Sequence, residues 1–187
     1  MKRLFTVFLI LLSLFTLSGC KKKLDVTELP ESIAIGETYY TQFALKHEKN
    51  RFITTNYRRG ILLPINSKVT LLEITNKTID VEIDSTHTAL LVKNALKHTG
   101  DNTIQAFNKL FAKQKVKLRK FNKTERRNIK SGTVVKGMRK KAVLAAIGYP
   151  PQIETPSLEI DQWTYWSSRF NRFIVHFNKG RVTRIQQ

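Results

Sequence analysis

The first twenty residues limit what the rest of the chain can be. Residues 4–17 (LFTVFLILLSLFTL) carry no charged side chain, and Lys2 and Arg3 precede them. The run closes on Leu17-Ser18-Gly19-Cys20, and Lys21, Lys22 and Lys23 follow. Cys20 is the only cysteine among 187 residues. A membrane-spanning helix needs about 20 apolar residues, so this run is short for a span and suits the apolar part of an export signal. The foldable chain therefore begins near Cys20. With one thiol it can form no internal disulfide, so burial of apolar surface has to hold it together.

The tetrapeptide ending at Cys20 resembles the bacterial lipobox. In such a site the small residues admit a peptidase, and the cysteine sulfur receives a diacylglycerol before cleavage. The resemblance implies a signal peptide over residues 1–19, lipidation of Cys20 by palmitate-type chains, and a lipidated tether over residues 20–37. Each buried methylene of an acyl chain contributes about 0.8 kcal/mol. Three lysines at the height of anionic headgroups add about 1 kcal/mol each. The residue after the cysteine is Lys21, not the Asp that resembles an inner-membrane retention signal in Gram-negative bacteria. The expected place is the periplasmic face of the outer membrane.

The charge balance is extreme. The chain has 33 basic and 14 acidic residues, a formal +19. Loss of Lys2 and Arg3 leaves 31 basic side chains against 14 acidic ones, a net +17. Such an excess usually points to nucleic acid. An export signal removes that partner and leaves phospholipid headgroups, lipopolysaccharide and acidic protein surfaces. A hydrophobic share of 41% with 10% aromatic residues is enough for a core.

Residues 38–84 read as β structure. Short runs rich in Thr, Tyr, Ile, Val and Phe occupy 39–45, 52–57, 60–65, 68–75 and 78–83, with polar breaks between them. The last two runs are two residues apart and read as a hairpin. The stretch 60–74 resembles small barrels of the Src-homology-three type. The spacing predicts a small barrel or a strongly twisted sheet, extended by one helix over 103–113 that carries Ile104, Phe107, Leu110 and Phe111 on one stripe. Asp101 or Asn102 is its expected N-cap. Residues 87–97 fit a strand or a helix equally. Residues 109–141 hold 14 basic residues and one acidic residue, Glu125. Within them Lys115, Lys117 and Arg119 alternate with Val116 and Leu118, the pattern of a strand with one basic face.

Towards the C-terminus, GMRKKAVLAAIGYPP (137–151) predicts a short helix over 139–147, closed by Gly148 and by Pro150-Pro151. Three strand-like runs follow at 161–167, 172–178 and 181–186, with a tight turn at Asn178-Lys179-Gly180. Trp163 and Tyr165 share one side of the first run. Phe173, Val175 and Phe177 share one side of the second. The order Gly137-Met138, Val143, Gly148-Tyr149-Pro150, Trp163-x-Tyr165, Phe177, Gly180, Val182 resembles the SmpA/OmlA (BamE-like) family of outer-membrane lipoproteins, over residues 124–187. The resemblance implies helices on three antiparallel strands and a part in β-barrel outer-membrane protein assembly or envelope integrity. Family members with that part are often little more than this module, whereas here about 100 residues precede it. A related fold occurs in proteins that bind and inhibit β-lactamases, so fold alone does not fix function.

The expected fold class is α+β: a small β-barrel-like domain over 38–121, then a two-layer module over 122–187 of helices on a three-stranded antiparallel sheet. The expected function is a non-enzymatic, lipid-anchored scaffold. The alternative is a periplasmic binding or inhibitor module for a protein or cell-wall target. Expected partners are the membrane through acylated Cys20, anionic phospholipid and an envelope protein, with no nucleic acid. The expected interaction surface is Trp166, Arg169, Arg172, Arg139, Lys140 and Lys141, because interfaces are enriched in Trp and Arg. Packing of Trp166 on the upstream β region competes with that placement. No cofactor, metal site or catalytic residue is expected. Asp80, Glu82 and Asp84 at period two read as the wet side of a strand with Ile79, Val81 and Ile83 inside, and Ser85 and His87 nearby make no triad. The four histidines, His47, His87, His98 and His176, lack zinc-site spacing.

Overall fold

A computed structural model describes residues 22–24 and 28–187. Residues 1–19, read above as a signal peptide, and Cys20 lie outside the described residues. No helix of the described residues is long and apolar enough to cross a membrane.

The chain first lays down β1 (Thr38–Thr41), β2 (Leu45–His47), β3 (Arg51–Ile53), β4 (Ile61–Leu63), β5 (Lys68–Ile74), β6 (Thr78–Ile83) and β7 (Thr88–Lys93). Two helices, α1 (Leu96–Thr99) and α2 (Thr103–Leu110), and a short strand β8 (Phe111–Ala112) follow. Six strands form one sheet in the order β3-β7-β6-β5-β1-β8. Every pairing in it is antiparallel except β3 with β7. β6 shows the simplest logic: Ile79, Val81 and Ile83 turn inward at period two while Asp80 and Glu82 turn out. The register of β5 on β6 shifts between Leu71 and Glu73, a bulge that bends the strand and adds to the curl of the sheet. Tyr39, Leu71, Ile79, Val81 and Leu90 fill the concave side with Phe107 and Phe111. Burial of each such side chain contributes about 1.5–3 kcal/mol. Part of the segment read as a tether is folded here as well: Ile33 is in this core, and Leu24 N–H donates to Ile74 O at 3.1 Å.

A single 3-10 turn (Leu118–Lys120) leads to α3 (Lys123–Ser131), α4 (Lys140–Ile147) and the strands β9 (Gln162–Trp166), β10 (Arg172–Asn178) and β11 (Arg181–Gln186). The three strands form a second sheet in the order β11-β10-β9. Trp163, Tyr165, Val175, Phe177 and Val182 meet Ile129, Met138, Val143 and Ala146 in a second core, which also takes Ile65 from the upstream region.

The expected fold class is overturned. The molecule is mostly sheet with few helices, and its principal sheet is open, curled into half a barrel. Closing a barrel requires the end strands to pair with each other. Here the end strands β3 and β8 are three and two residues long and do not pair. β4, inside the run expected as a stave of the barrel, pairs only with β2, which begins where the expected run 39–45 ends, in a separate ribbon. The layout is not a set of helices laid on a three-stranded sheet either. α2 belongs to the core of the six-stranded sheet, and the core around α3 and α4 is shared with the upstream chain through Ile65. Residues 113–117 form no strand. Asn66 holds them by two hydrogen bonds with Val116, at 2.7 and 3.0 Å, and Lys115 lies over the Tyr40 ring instead of lining a basic face.

Candidate functional site

The residues expected to form one interaction surface are in several different places. Trp166 is buried, 7% exposed. Its ring stacks on Tyr57 at 5.9 Å and meets His98 at 5.2 Å, and its Nε1–H donates to Glu154 Oε1 at 2.9 Å. Trp166 therefore joins the C-terminal sheet to the upstream chain and offers no free ring to a partner. Arg172 lies over the same indole at 4.5 Å and donates from Nε to the same Glu154 oxygen at 2.8 Å. Arg139 is committed to Glu125: Nη2 donates to Oε2 at 2.6 Å and Nε to Oε1 at 2.9 Å. Lys140 Nζ donates to the carbonyls of Leu158, Glu159 and Ile160 and pairs with Asp161 at 3.2 Å. Of the six, Lys141 and Arg169 are exposed with no carboxylate partner among the described residues. Arg169 sits beside Phe170, which is 81% exposed at the β9–β10 turn.

A different cationic face is built into α3. Asn122 caps the helix and forms a capping box with Glu125, and Gly132 ends it in the left-handed conformation at φ 64°. Glu125, Asn128 and Ile129 turn inward, while Lys123, Arg126, Arg127 and Lys130 are exposed. Those four sit at i, i+3, i+4 and i+7, so one helical face carries four cations. Among the described residues none of the four has a carboxylate partner, and Arg126 donates only to Phe121 O at 2.8 Å. Like charges at this spacing each cost a few tenths of a kcal/mol. The caps offset that cost. The only acid of α3 faces away from the stripe: Arg139 beside it, together with the backbone N–H groups of Arg139 and Asn122, holds the Glu125 carboxyl down at about 2. The charge bias of 109–141 is visible in the sequence, but the strand reading covers only 115–119 and leaves the helical spacing of 123–130 unread.

The upstream chain and the C-terminal unit meet at a seam made by residues 54–58. Residues 54–57, expected as part of a strand over 52–57, leave the sheet after β3. Asn56 has φ 63° and donates from Nδ2 to the carbonyls of Ile147 and Tyr149, at 2.7 and 3.0 Å. Beside the seam lies a cleft of about 370 Å³ lined by Phe43, Phe52, Asp101, Lys109, Tyr149 and Gln152 with their neighbours. Lys109 Nζ is 2.6 and 2.8 Å from the two Asp101 oxygens. Burial and the Asp101 charge raise the pKa of the Tyr149 phenol.

The acidic row of β6 gathers no metal site. Asp84 pairs with Lys68 at 2.7 Å, and Glu82 lies 3.2 Å from His87 Nδ1. No group of three or more His, Cys, Asp or Glu side chains among the described residues is arranged to hold a metal ion. No family model matches the chain, no curated protein matches it, and no solved structure matches it.

Proposed function

We propose that this chain is an exported, lipid-anchored protein that acts without catalysis as a scaffold or assembly factor at the periplasmic face of the outer membrane. Acyl chains at Cys20 hold it at the bilayer, and the cationic face of α3 lies against an anionic surface, phospholipid headgroups or an acidic envelope protein. The observation that carries the reading is the pair of sequence signals at its two ends: the lipobox-like tetrapeptide at Cys20 and the SmpA/OmlA-like residue order over 124–187. The stripe of Lys123, Arg126, Arg127 and Lys130 supports it, because four uncompensated cations on a firmly capped helix favour an anionic partner. Feeding labelled palmitate to cells expressing the native chain or Cys20→Ala tests the anchor. Label in the native chain alone is expected, followed by recovery of envelope proteins on affinity capture. Label retained in Cys20→Ala, or a native chain that fractionates with cytosol, contradicts the proposal.

A further inference from the structure

The cleft beside the seam has no part in the membrane reading. Phe43 and Phe52 belong to its lining but are only 4% and 2% exposed, while the half-buried Tyr149 ring, which meets Phe43 edge-on at 6.2 Å, keeps part of its surface open. One wall carries Asp101 and Lys109, and Lys109 Nζ also lies 5.2 Å from the centre of the Tyr149 ring. Near them, at the exposed rim, is Gln152, whose amide lies over Gly100. A Cβ on Gly100 would fall 1.8 Å from Gln152 Oε1, so the glycine makes room for that amide. Among the described residues, neither the Gln152 amide nor the Tyr149 hydroxyl has a hydrogen-bond partner.

The charge state of the walls selects among ligand classes. Lys109 and Asp101 neutralise each other through two short hydrogen bonds, and the Asp101 side chain is 16% exposed. A charged ligand would have to break that pair and leave one half of it poorly solvated, a costly exchange. What the cleft offers freely is a mixed set: an amide that donates and accepts, a phenol that does both, and spare lone pairs on a carboxylate. A hydroxyl group also donates and accepts, so several hydroxyls on one small frame match the set. The half-buried Tyr149 ring is the aromatic surface that can meet the C–H face of a sugar ring. The volume is at the small end of ligand sites, which run from about 300 to 1,000 Å³, and admits one or two rings.

We infer that the cleft is a saccharide site for a neutral mono- or disaccharide, held by Gln152, Tyr149 and the Asp101–Lys109 pair. The chain end of a neutral glycan and the free sugar present the same chemistry, and probes of increasing length separate them.

The test uses the full chain in a phosphocholine detergent, titrated calorimetrically with N-acetylglucosamine, its β-1,4-linked disaccharide and tetrasaccharide, and maltose, with galacturonate and glycylglycine as charged competitors. At least one neutral saccharide is expected to bind with a Kd below about 5 mM. Amide shift changes in the NMR spectrum should centre on residues 99–109 and 149–158. Gln152→Ala and Tyr149→Phe each remove a group with no internal partner, so urea midpoints should stay native while affinity falls roughly three- to tenfold, the effect of one hydrogen bond. Equal binding of mono- and tetrasaccharide marks the free sugar, and tighter binding of the tetrasaccharide marks a chain end. The inference is overturned if no neutral saccharide binds at about 10 mM, if either charged probe binds better, if the shifts lie elsewhere, or if both variants bind like the native chain.

Discussion

Arg58 Nη1 lies 3.3 Å from the carbonyl oxygen of Ile147, the last residue of α4. The same guanidinium donates from Nη2 to Gly132 O, the C-cap of α3, at 3.3 Å. One cation thus serves the C-terminal ends of two helices, where the backbone dipoles leave partial negative charge. Further bonds reach Ala44 O at 3.1 Å and Asn56 Oδ1 at 3.2 Å, so the upstream chain and both helices share one donor fork. Burial brings the Arg58 pKa down from 12.5 to about 10, which still leaves it charged at neutral pH.

Arg58→Met is expected to cost about 2–4 kcal/mol in urea unfolding, because four acceptors lose a charged donor at once. Arg58→Lys keeps the charge but not the fork and is expected to lose about half of that. A loss below about 0.5 kcal/mol in Arg58→Met would show that the seam does not depend on this residue.

Gly148 is constrained twice. Its φ is +76°, and a Cβ there would stand 2.4 Å from the Phe43 ring. Strained backbone and overpacking each cost about 1–3 kcal/mol, so Gly148→Ala is expected to lose about 2–6 kcal/mol. The double variant Gly148→Ala, Phe43→Leu relieves the clash but not the φ strain. It is expected to be less destabilised than the sum of its two single variants, a coupling that a double-mutant cycle in urea reads directly.

Glu125 gives the fold an acid limit. Its carboxyl titrates at about 2 in the folded chain against 4.5 ordinarily, with Arg139 as the main cause. A depressed carboxylate contributes stability that is complete above about pH 4.5 and is lost as the pH falls toward 2. Glu125→Gln keeps the capping geometry and removes the charge. It is expected to lose about 2 kcal/mol at pH 7 and to flatten the decline in unfolding free energy between pH 5 and pH 2. An equally steep acid decline in the variant would place the sensitive group elsewhere.

The α3 stripe separates function from stability. Replacing Lys123, Arg126, Arg127 and Lys130 with Gln removes like-charge contacts at i,i+4, so stability should hold or rise by a few tenths of a kcal/mol per contact. Binding of the unacylated chain (Cys20→Ser) to vesicles with 30% anionic lipid is expected to fall at least tenfold, since each cation near the surface contributes about 1 kcal/mol. Raising salt should weaken the parent, with its four-charge stripe, more than the Gln variant. Equal vesicle binding by both would remove α3 from the membrane contact.

Local structure was more legible in the sequence than its assembly. The β5–β6 hairpin, a cap at Asp101 or Asn102 (Asn102 in the fold), the helix ended by Gly148 and the three C-terminal strands follow from period, caps and turn residues, all of which act within a few positions. The open half-barrel does not, because it depends on β3 pairing in parallel with the distant β7 and on β2 choosing β4. Arg139 reads as a surface residue because Glu125, which engages it, is 14 positions away; Trp166, for which packing on the upstream chain competed with a surface place, is packed there and held by Glu154, 12 positions away. The seam was invisible for the same reason: Asn56 and Arg58 reach carbonyls about 90 residues downstream, and backbone acceptors leave no mark in a sequence.

The proposal stands first on the covalent state of Cys20, and intact-mass spectrometry of the chain from the membrane fraction reads that state directly. The account predicts a species starting at residue 20 that carries a diacylglycerol thioether and an N-acyl group. A species that keeps Met1 through Gly19 with an unmodified thiol would contradict it.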